Sequence, residues 1–387
     1  MHGPHNRARY WPALLAAGLF LIVGGVALLQ VGCGGNNSAD PAGPGTIKVA
    51  YLGLTCEAPI FVAHENGYFK EQGINVEIVK TDWDGLREGL ANGQFHANHT
   101  LVMYVLKGVE KSSDLKITAG VHTGCLRVQV GTKSTVTSVA ELKGKKIGVP
   151  TNVGSPPFMF ASRVLAAAGI DPSLEADQVT WVAYPPDLLG KAVEDGRVDA
   201  IATSDPLGTI LEGKKIVKTI ADQAKDLPYS EEYCCAVVVN GAFARKYPAE
   251  AAKVTMAILK GAKWVETNTK AAAEMGVKGK YIAASPEINT HALAMLRYIP
   301  GVAKGKRSVE LAAEDMKKAK LLGGSTDPAA LAKRTWLDLD GVTDELVVAQ
   351  QVERVKGGGR PVLLPADRFA ALFRLENNCC ACCCLSQ

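Results

Sequence analysis

Nine cysteines carry the chemistry most visible in this chain. Cys56, Cys125, Cys234 and Cys235 fall at or beside turns and links between predicted strands, and Cys379, Cys380, Cys382, Cys383 and Cys384 crowd the C-terminus. Soft thiolates suit Cu(I), zinc, an iron–sulfur centre or a thiophilic ligand. The bland reading is that each buried thiol is a small hydrophobe. Four thiols on segments that can face one cleft keep the metal reading open. Five tail thiols within six residues can chelate a soft metal, yet they match no zinc spacing; a disordered or disulfide-scrambled tail fits as well. Neighbours such as Cys234 and Cys235 bridge each other only with strain.

Helix starts come next. In Gly53-Leu54-Thr55-Cys56-Glu57-Ala58-Pro59, Thr55 or Cys56 stands near the first helix start, where free N–H groups attract an acceptor oxygen. Thr55 there serves as a cap alone, or as a cap that also touches a ligand. Glu57 puts a negative charge at the same place and weakens the case for an anion. In Gly154-Ser155-Pro156, Ser155 as N-cap and Pro156 as the first helical residue make a strong start signal, and Gly154 lets the backbone approach a ligand. Trp83 is either a core residue or a stacking wall, and His99 is a structural histidine or an imidazole near a cleft. There is no HExxH, GxSxG or Walker A pattern, and no nucleophile–base pair is legible.

These residues need a scaffold. Strands are expected at 47–52, 75–79, 117–121, 126–131, 146–149, 178–183 and 198–202, with helices at 58–66, 84–92, after Gly154 and at 187–195. Strands alternating with helices at this spacing predict parallel α/β sheets. From 248 to about 350 the pattern is mostly helical, with Val254, Ile258, Ala262 and Val265 on one stripe. The second α/β block, inserted in the first, would give two lobes, two crossing strands and a cleft between them, the default place for a ligand. The expected division is lobe 1 over 47–125 and 236–350, lobe 2 over 126–235, and a C-terminal extension over 351–387.

The front end says where the chain works. Residues 1–32 carry Arg7 and Arg9, no acid, and an apolar run from Leu14 to Val31 that stops at Gly32-Cys33. That is an export signal, and its end looks like a bacterial lipoprotein signal with Cys33 lipidated. An uncleaved anchor is the alternative. Residues 33–46 read as a flexible linker. The whole chain has a formal charge of +4; without Arg7 and Arg9 the 43 basic residues become 41, against 39 acidic ones. That balance is too weak and scattered for nucleic acid. At 47% hydrophobic and 21% charged, the chain is globular.

The segments Ala58-Pro59-Ile60-Phe61-Val62-Ala63 with Gly67-Tyr68-Phe69-Lys70, Gly73-Ile74-Asn75-Val76, Trp83 to Leu90, Ala97-Asn98-His99, Val149-Pro150 with Gly154-Ser155-Pro156, Ala168 to Pro172, and Gly196 to Ile201 leading to Asp205-Pro206 stand in a telling order. Together they resemble the periplasmic substrate-binding proteins of ABC importers in the nitrate/sulfonate/bicarbonate/taurine group. The resemblance implies an α/β, two-lobed type II periplasmic binding protein fold that closes on a small polar solute, needs no cofactor, is no enzyme, works as a monomer and serves a membrane permease and its ATPase. It implies a cleft lined by Thr55, Cys56, Trp83, His99, Thr123, Cys125, Thr151, Gly154, Ser155 and Asp205, with Cys234 beside it. Trp83 and His99 match the nitrate and bicarbonate binders better than the sulfonate binders, while Cys125 and Cys234-Cys235 depart from the pattern. Fungal thiamin-pyrimidine synthases share this fold and carry a cysteine-rich iron motif. They keep open a second reading, a thiol-dependent metal-binding or redox protein.

Overall fold

The computed structural model describes residues 43–379. Ten strands form two five-stranded sheets. In chain order they are β1 Ile47–Tyr51, β2 Val76–Lys80, β3 Ala97–Leu101, β4 Leu115–Thr123, β5 Leu126–Gly131, β6 Lys146–Pro150, β7 Thr180–Tyr184, β8 Ala200–Ser204, β9 Val217–Asp222 and β10 Tyr233–Asn240. The first sheet has the order β2-β1-β3-β10-β4 and the second β7-β6-β8-β5-β9. Fold class follows from this: α/β, with two sheets joined by two crossings.

Both sheets are mixed rather than parallel. β1 runs parallel to β2 and β3, but β10 is antiparallel to both β3 and β4. In the second sheet β6 is parallel to β7 and β8, while β5 is antiparallel to β8 and β9. Period and spacing gave the parallel part correctly. They missed that a strand arriving from the other half enters its sheet against the prevailing direction. β10 begins at Tyr233, so Cys234 and Cys235 belong to the first sheet.

Helices cover the sheets where the apolar stripes demand. Val254, Ile258, Ala262 and Val265 are all fully buried on the helix Pro248–Thr267, which packs on the helix Ala58–Glu65. The strands β4, β5 and β10 are almost wholly buried, as continuous apolar runs should be. One apolar core runs through both sheets, from Phe61 and Ile117 to Phe160 and Val149. The helix Ala366–Cys379 sets Phe369 and Phe373 against Ile288 and Ile210, so the C-terminal extension touches both halves. Among the described residues no helix is long and apolar enough to cross a membrane. Residues 1–32, Cys33, Cys380, Cys382, Cys383 and Cys384 lie outside the described residues, and nothing is described of the Cys379 side chain.

The crossings meet at a tight point. Gly124, between β4 and β5, has φ +78°, and a Cβ there would stand 2.6 Å from the Ala224 Cβ, on the return segment between β9 and β10. Gly124→Ala is therefore expected to cost about 1–3 kcal/mol of unfolding free energy in urea titration. Adding Ala224→Gly should recover only part of the contact cost, because the Ala224 Cα also stands within 2.8 Å; an unchanged midpoint in the single variant would refute the close approach.

Candidate functional site

The sequence-predicted residues divide between two places. Trp83, Thr151, Gly154 and Ser155 line an open cleft of about 390 Å³. Cys56, Cys125 and Cys234 lie in a closed cluster, with His99 beside it.

One cleft wall is the turn after β6. Thr151 to Pro156 carries the chain from the C-terminal end of that strand into the helix Pro156–Ala167. Gly154 has φ +123°, a conformation that side chains rarely adopt. Ser155 holds the N-cap position, but its side chain makes no cap hydrogen bond, and its Oγ is buried with no partner. The opposite wall comes from the first half. Asp82 caps the helix Trp83–Ala91 by accepting from the Gly85 N–H at 2.8 Å. The Trp83 ring meets Tyr104 edge-on at 5.2 Å, and the Tyr104 hydroxyl donates to the Trp83 carbonyl at 3.0 Å. Thr100, at the end of β3, also lines the cleft with a buried, unpartnered Oγ1.

Thr100, Tyr104, Arg87 and Lys107 were not foreseen. The signal was the run Asn98-His99-Thr100, three buried polar residues on an apolar strand. Four cations, Arg87, Lys107, Lys111 and Lys320, line the cleft against two acids, Asp84 and Glu175. Arg87 pairs with Asp84 at 2.9 Å, and Lys107 with Glu110 at 2.6 Å.

Glu57, expected to weaken the case for an anion, and Asp205, which the resemblance placed in the cleft, stand elsewhere. The Glu57 carboxylate accepts from the N–H groups of Leu52, Gly53 and Leu54 at 2.8–3.0 Å. Burial pushes its carboxyl up to about 8, against the pull of these donors. The N–H groups of Leu52, Gly53 and Leu54 are thus spent on the chain itself. Asp205 is held by Arg127, with Nη2 at 2.7 Å and Nη1 at 3.2 Å. Thr55 donates to Asn289 at 2.9 Å, and Thr123 pairs its backbone N–H with the Arg297 carbonyl. None of Thr55, Glu57, Thr123 and Asp205 lines the cleft.

The closed cluster gathers three parts of the chain. Cys56 comes from the first βα turn, Cys125 from the first crossing, and Cys234 and Cys235 from the start of β10. All four are free thiols, at most 3% exposed. The Cys125 and Cys234 sulfurs are 3.2 Å apart, and those of Cys234 and Cys235 are 3.8 Å apart. His122, from β4, completes the group: its ring nitrogen and the sulfurs of Cys56 and Cys235 lie within 4.8 Å of one another. The His122 ring packs on His99 and Tyr298 at 5.1 and 5.0 Å. Hydrogen bonding to Cys125 and burial push Cys56 up to about 11; hydrogen bonding to Cys234 and burial do the same to Cys125. Burial and the neighbouring His122 hold His99 well below the usual histidine range, so it stays neutral.

Comparisons with known proteins bear on the family and the fold. The profile of the NMT1-like family matches residues 40–299. The nitrate/nitrite binding protein NrtA of Synechococcus elongatus is 26% identical over 324 residues, covering 69% of this chain and 71% of that protein. Two crystal structures share the fold. The periplasmic nitrate-binding protein NrtA of Synechocystis PCC 6803 aligns with a TM-score of 0.62 at 16% identity, over 75% of this chain and 86% of that one. The alkanesulfonate-binding protein SsuA of Xanthomonas axonopodis pv. citri, bound to MOPS, aligns with a TM-score of 0.61 at 18% identity, over 75% and 98%.

Proposed function

As the chain belongs to the NMT1-like family, and its fold is that of periplasmic binding proteins, we propose that it is the solute receptor of an ABC importer. It binds a small solute with an oxyanion head between its two lobes and presents it to the permease and its ATPase. In this reading residues 1–32 direct export, lipidated Cys33 anchors the chain outside the cytoplasm, the receptor acts as a monomer, and it catalyses no reaction. The lobes are residues 47–125 with the return from β10 onward, and the inserted block between.

One observation carries the reading. Thr100 from the first half and Ser155 from the second offer buried hydroxyls to the same cleft, and neither has a partner. A buried hydroxyl without a partner costs about 1–3 kcal/mol. An oxyanion bridging the two satisfies both, and it does so only when the lobes are together. Differential contact of this kind is what a ligand needs to favour closure. The four cations outnumber the two acids of the lining, although Arg87, Lys107 and Lys320 are each paired with a carboxylate, and Trp83 and Tyr104 supply an apolar wall for the body of an organic solute. With Glu57 and Asp205 bonded elsewhere, no acid of the first βα turn opposes the anion.

Calorimetry on the full-length chain with nitrate, bicarbonate and a short alkanesulfonate tests this. One of the three is expected to bind and to raise the melting temperature. Ser155→Ala and Thr100→Val should each weaken it by about 10–100-fold, the worth of one hydrogen bond to a charged group. Stability should hold or rise by about 1–3 kcal/mol, because neither hydroxyl bonds to the protein and each is costly while buried unpaired. If no ligand binds, or both variants bind at full strength, the cleft is not the receptor site. A second reading, a metal-dependent protein, is favoured only by the thiol cluster.

A further inference from the structure

None of the thiol-cluster residues lines the cleft. We infer that the cluster of Cys56, His122, Cys125, Cys234 and Cys235 is a binding site for one thiophilic d10 cation, Cu(I) or Zn(II), which takes up to four of these ligands where the two crossings meet.

Geometry carries the inference. Zinc–sulfur bonds of about 2.3 Å set the sulfurs of a tetrahedral site about 3.8 Å apart. Here the Cys234 and Cys235 sulfurs stand at that spacing, 3.8 Å, and the Cys125 and Cys234 sulfurs at 3.2 Å would have to part slightly to admit the ion. Two three-atom faces share Cys235, one with Cys56 and His122 and the other with Cys125 and Cys234, and each has its ligand atoms within 4.8 Å of one another. The donor set, thiolates with one imidazole, suits zinc and Cu(I) and disfavours magnesium or calcium. His122 adds an independent sign. Its Nδ1 lies 3.4 Å from the Thr123 carbonyl, while its buried Nε2 has no hydrogen-bond partner. A proton on Nδ1 leaves a bare lone pair on Nε2, the tautomer that metal ligands adopt through an outer-shell carbonyl. Coordination needs no oxidant: each ligating thiol releases its proton to solvent as the sulfur–metal bond forms.

The placement gives the ion a task. It would tie the first βα turn to the first crossing and to the strand that follows the second crossing, so it would hold the segments about which the lobes move.

The test uses the full-length chain with Cys379, Cys380, Cys382, Cys383 and Cys384 replaced by serine, which removes the tail thiols. Prepared without oxygen, it is loaded with Zn(II) or with Cu(I) kept reduced, then dialysed and analysed for metal. At least one equivalent of one of these ions should stay bound, and Cys125→Ser with Cys234→Ser should lower retention by about tenfold or more. Loading with Co(II) reads the site without altering it. Sulfur-to-cobalt charge transfer with ligand-field bands of tetrahedral intensity is expected, and this arm decides the matter if the double variant fails to fold. The inference is overturned if no ion is retained and no such spectrum appears, or if the double variant keeps its metal. A Cys125–Cys234 disulfide that persists in the reduced, oxygen-free preparation and prevents loading overturns it as well. Solute binding in the cleft is measured separately, so either reading can fail without the other.

Discussion

Replacing Arg127 by methionine is expected to lower the unfolding free energy by about 3–5 kcal/mol, the usual cost of removing one partner from a buried ion pair. Arg127 stands on β5 and is 3% exposed. Its guanidinium grips Asp205 through both Nη atoms, donates to the Thr209 hydroxyl at 3.1 Å and lies 3.9 Å from Asp222. Asp205 also accepts from the Thr209 N–H at 3.0 Å and its hydroxyl at 2.8 Å. With the guanidinium gone, the Asp205 carboxylate keeps two donors but loses its counter-charge in a place water does not reach. Pairing Arg127→Met with Asp205→Asn should therefore restore more than half of the loss. Urea titration of the two variants checks this. A double variant no more stable than the single one would mean that packing, not charge, sets the cost.

This pair also shows where sequence reading stops. Asp205 was drawn toward the cleft by resemblance alone, and its true partner lies 78 residues away. Separation of that order carries no local signal. Local signals served well elsewhere: the stripe on Pro248–Thr267 is buried as expected, and Ser155-Pro156 opens a helix at the predicted residue. β3 and the helix Val102–Glu110 escaped, because Asn98, His99 and Thr100 break the apolar run from which a strand would be read. The same residues bring Thr100 to the cleft. β9 and the helix Leu207–Gly213 were also missed, being short and interrupted by lysines or glycines. The thiols were legible as chemistry, yet only the crossing of β4 and β10 reveals that His122 faces them. Their separation from the cleft came from depth within the fold, which residue spacing does not encode.

Arg163→Met is expected to weaken solute binding without touching the solute. Arg163 lies on the helix that Ser155 begins, deep in the second half. Its Nη2 donates to the Glu232 carboxylate at 2.8 and 3.1 Å and to Asp315 at 2.9 Å. Glu232 sits at the end of the return crossing, and Asp315 is on the helix Ala303–Lys318, which packs on β4 in the first half. The guanidinium is 2% exposed at its side chain, so the charges are little screened by solvent. Burial pushes the Glu232 carboxyl up, so it depends on Arg163 for its charge. One cation thus joins three segments that must keep their places for Ser155 to reach across to Thr100. Breaking this triad should cost about 3–5 kcal/mol of stability. If about 3 kcal/mol of that favours the closed arrangement over the open one, apparent affinity falls by about 100-fold, since each 1.4 kcal/mol is tenfold. Calorimetry gives the affinity, and small-angle scattering with and without solute gives the closure. A variant that loses stability but keeps both affinity and compaction would make Arg163 a structural residue of the second half alone. Affinity and compaction lost together, with Ser155 unaltered, would place the control of closure in this buried triad.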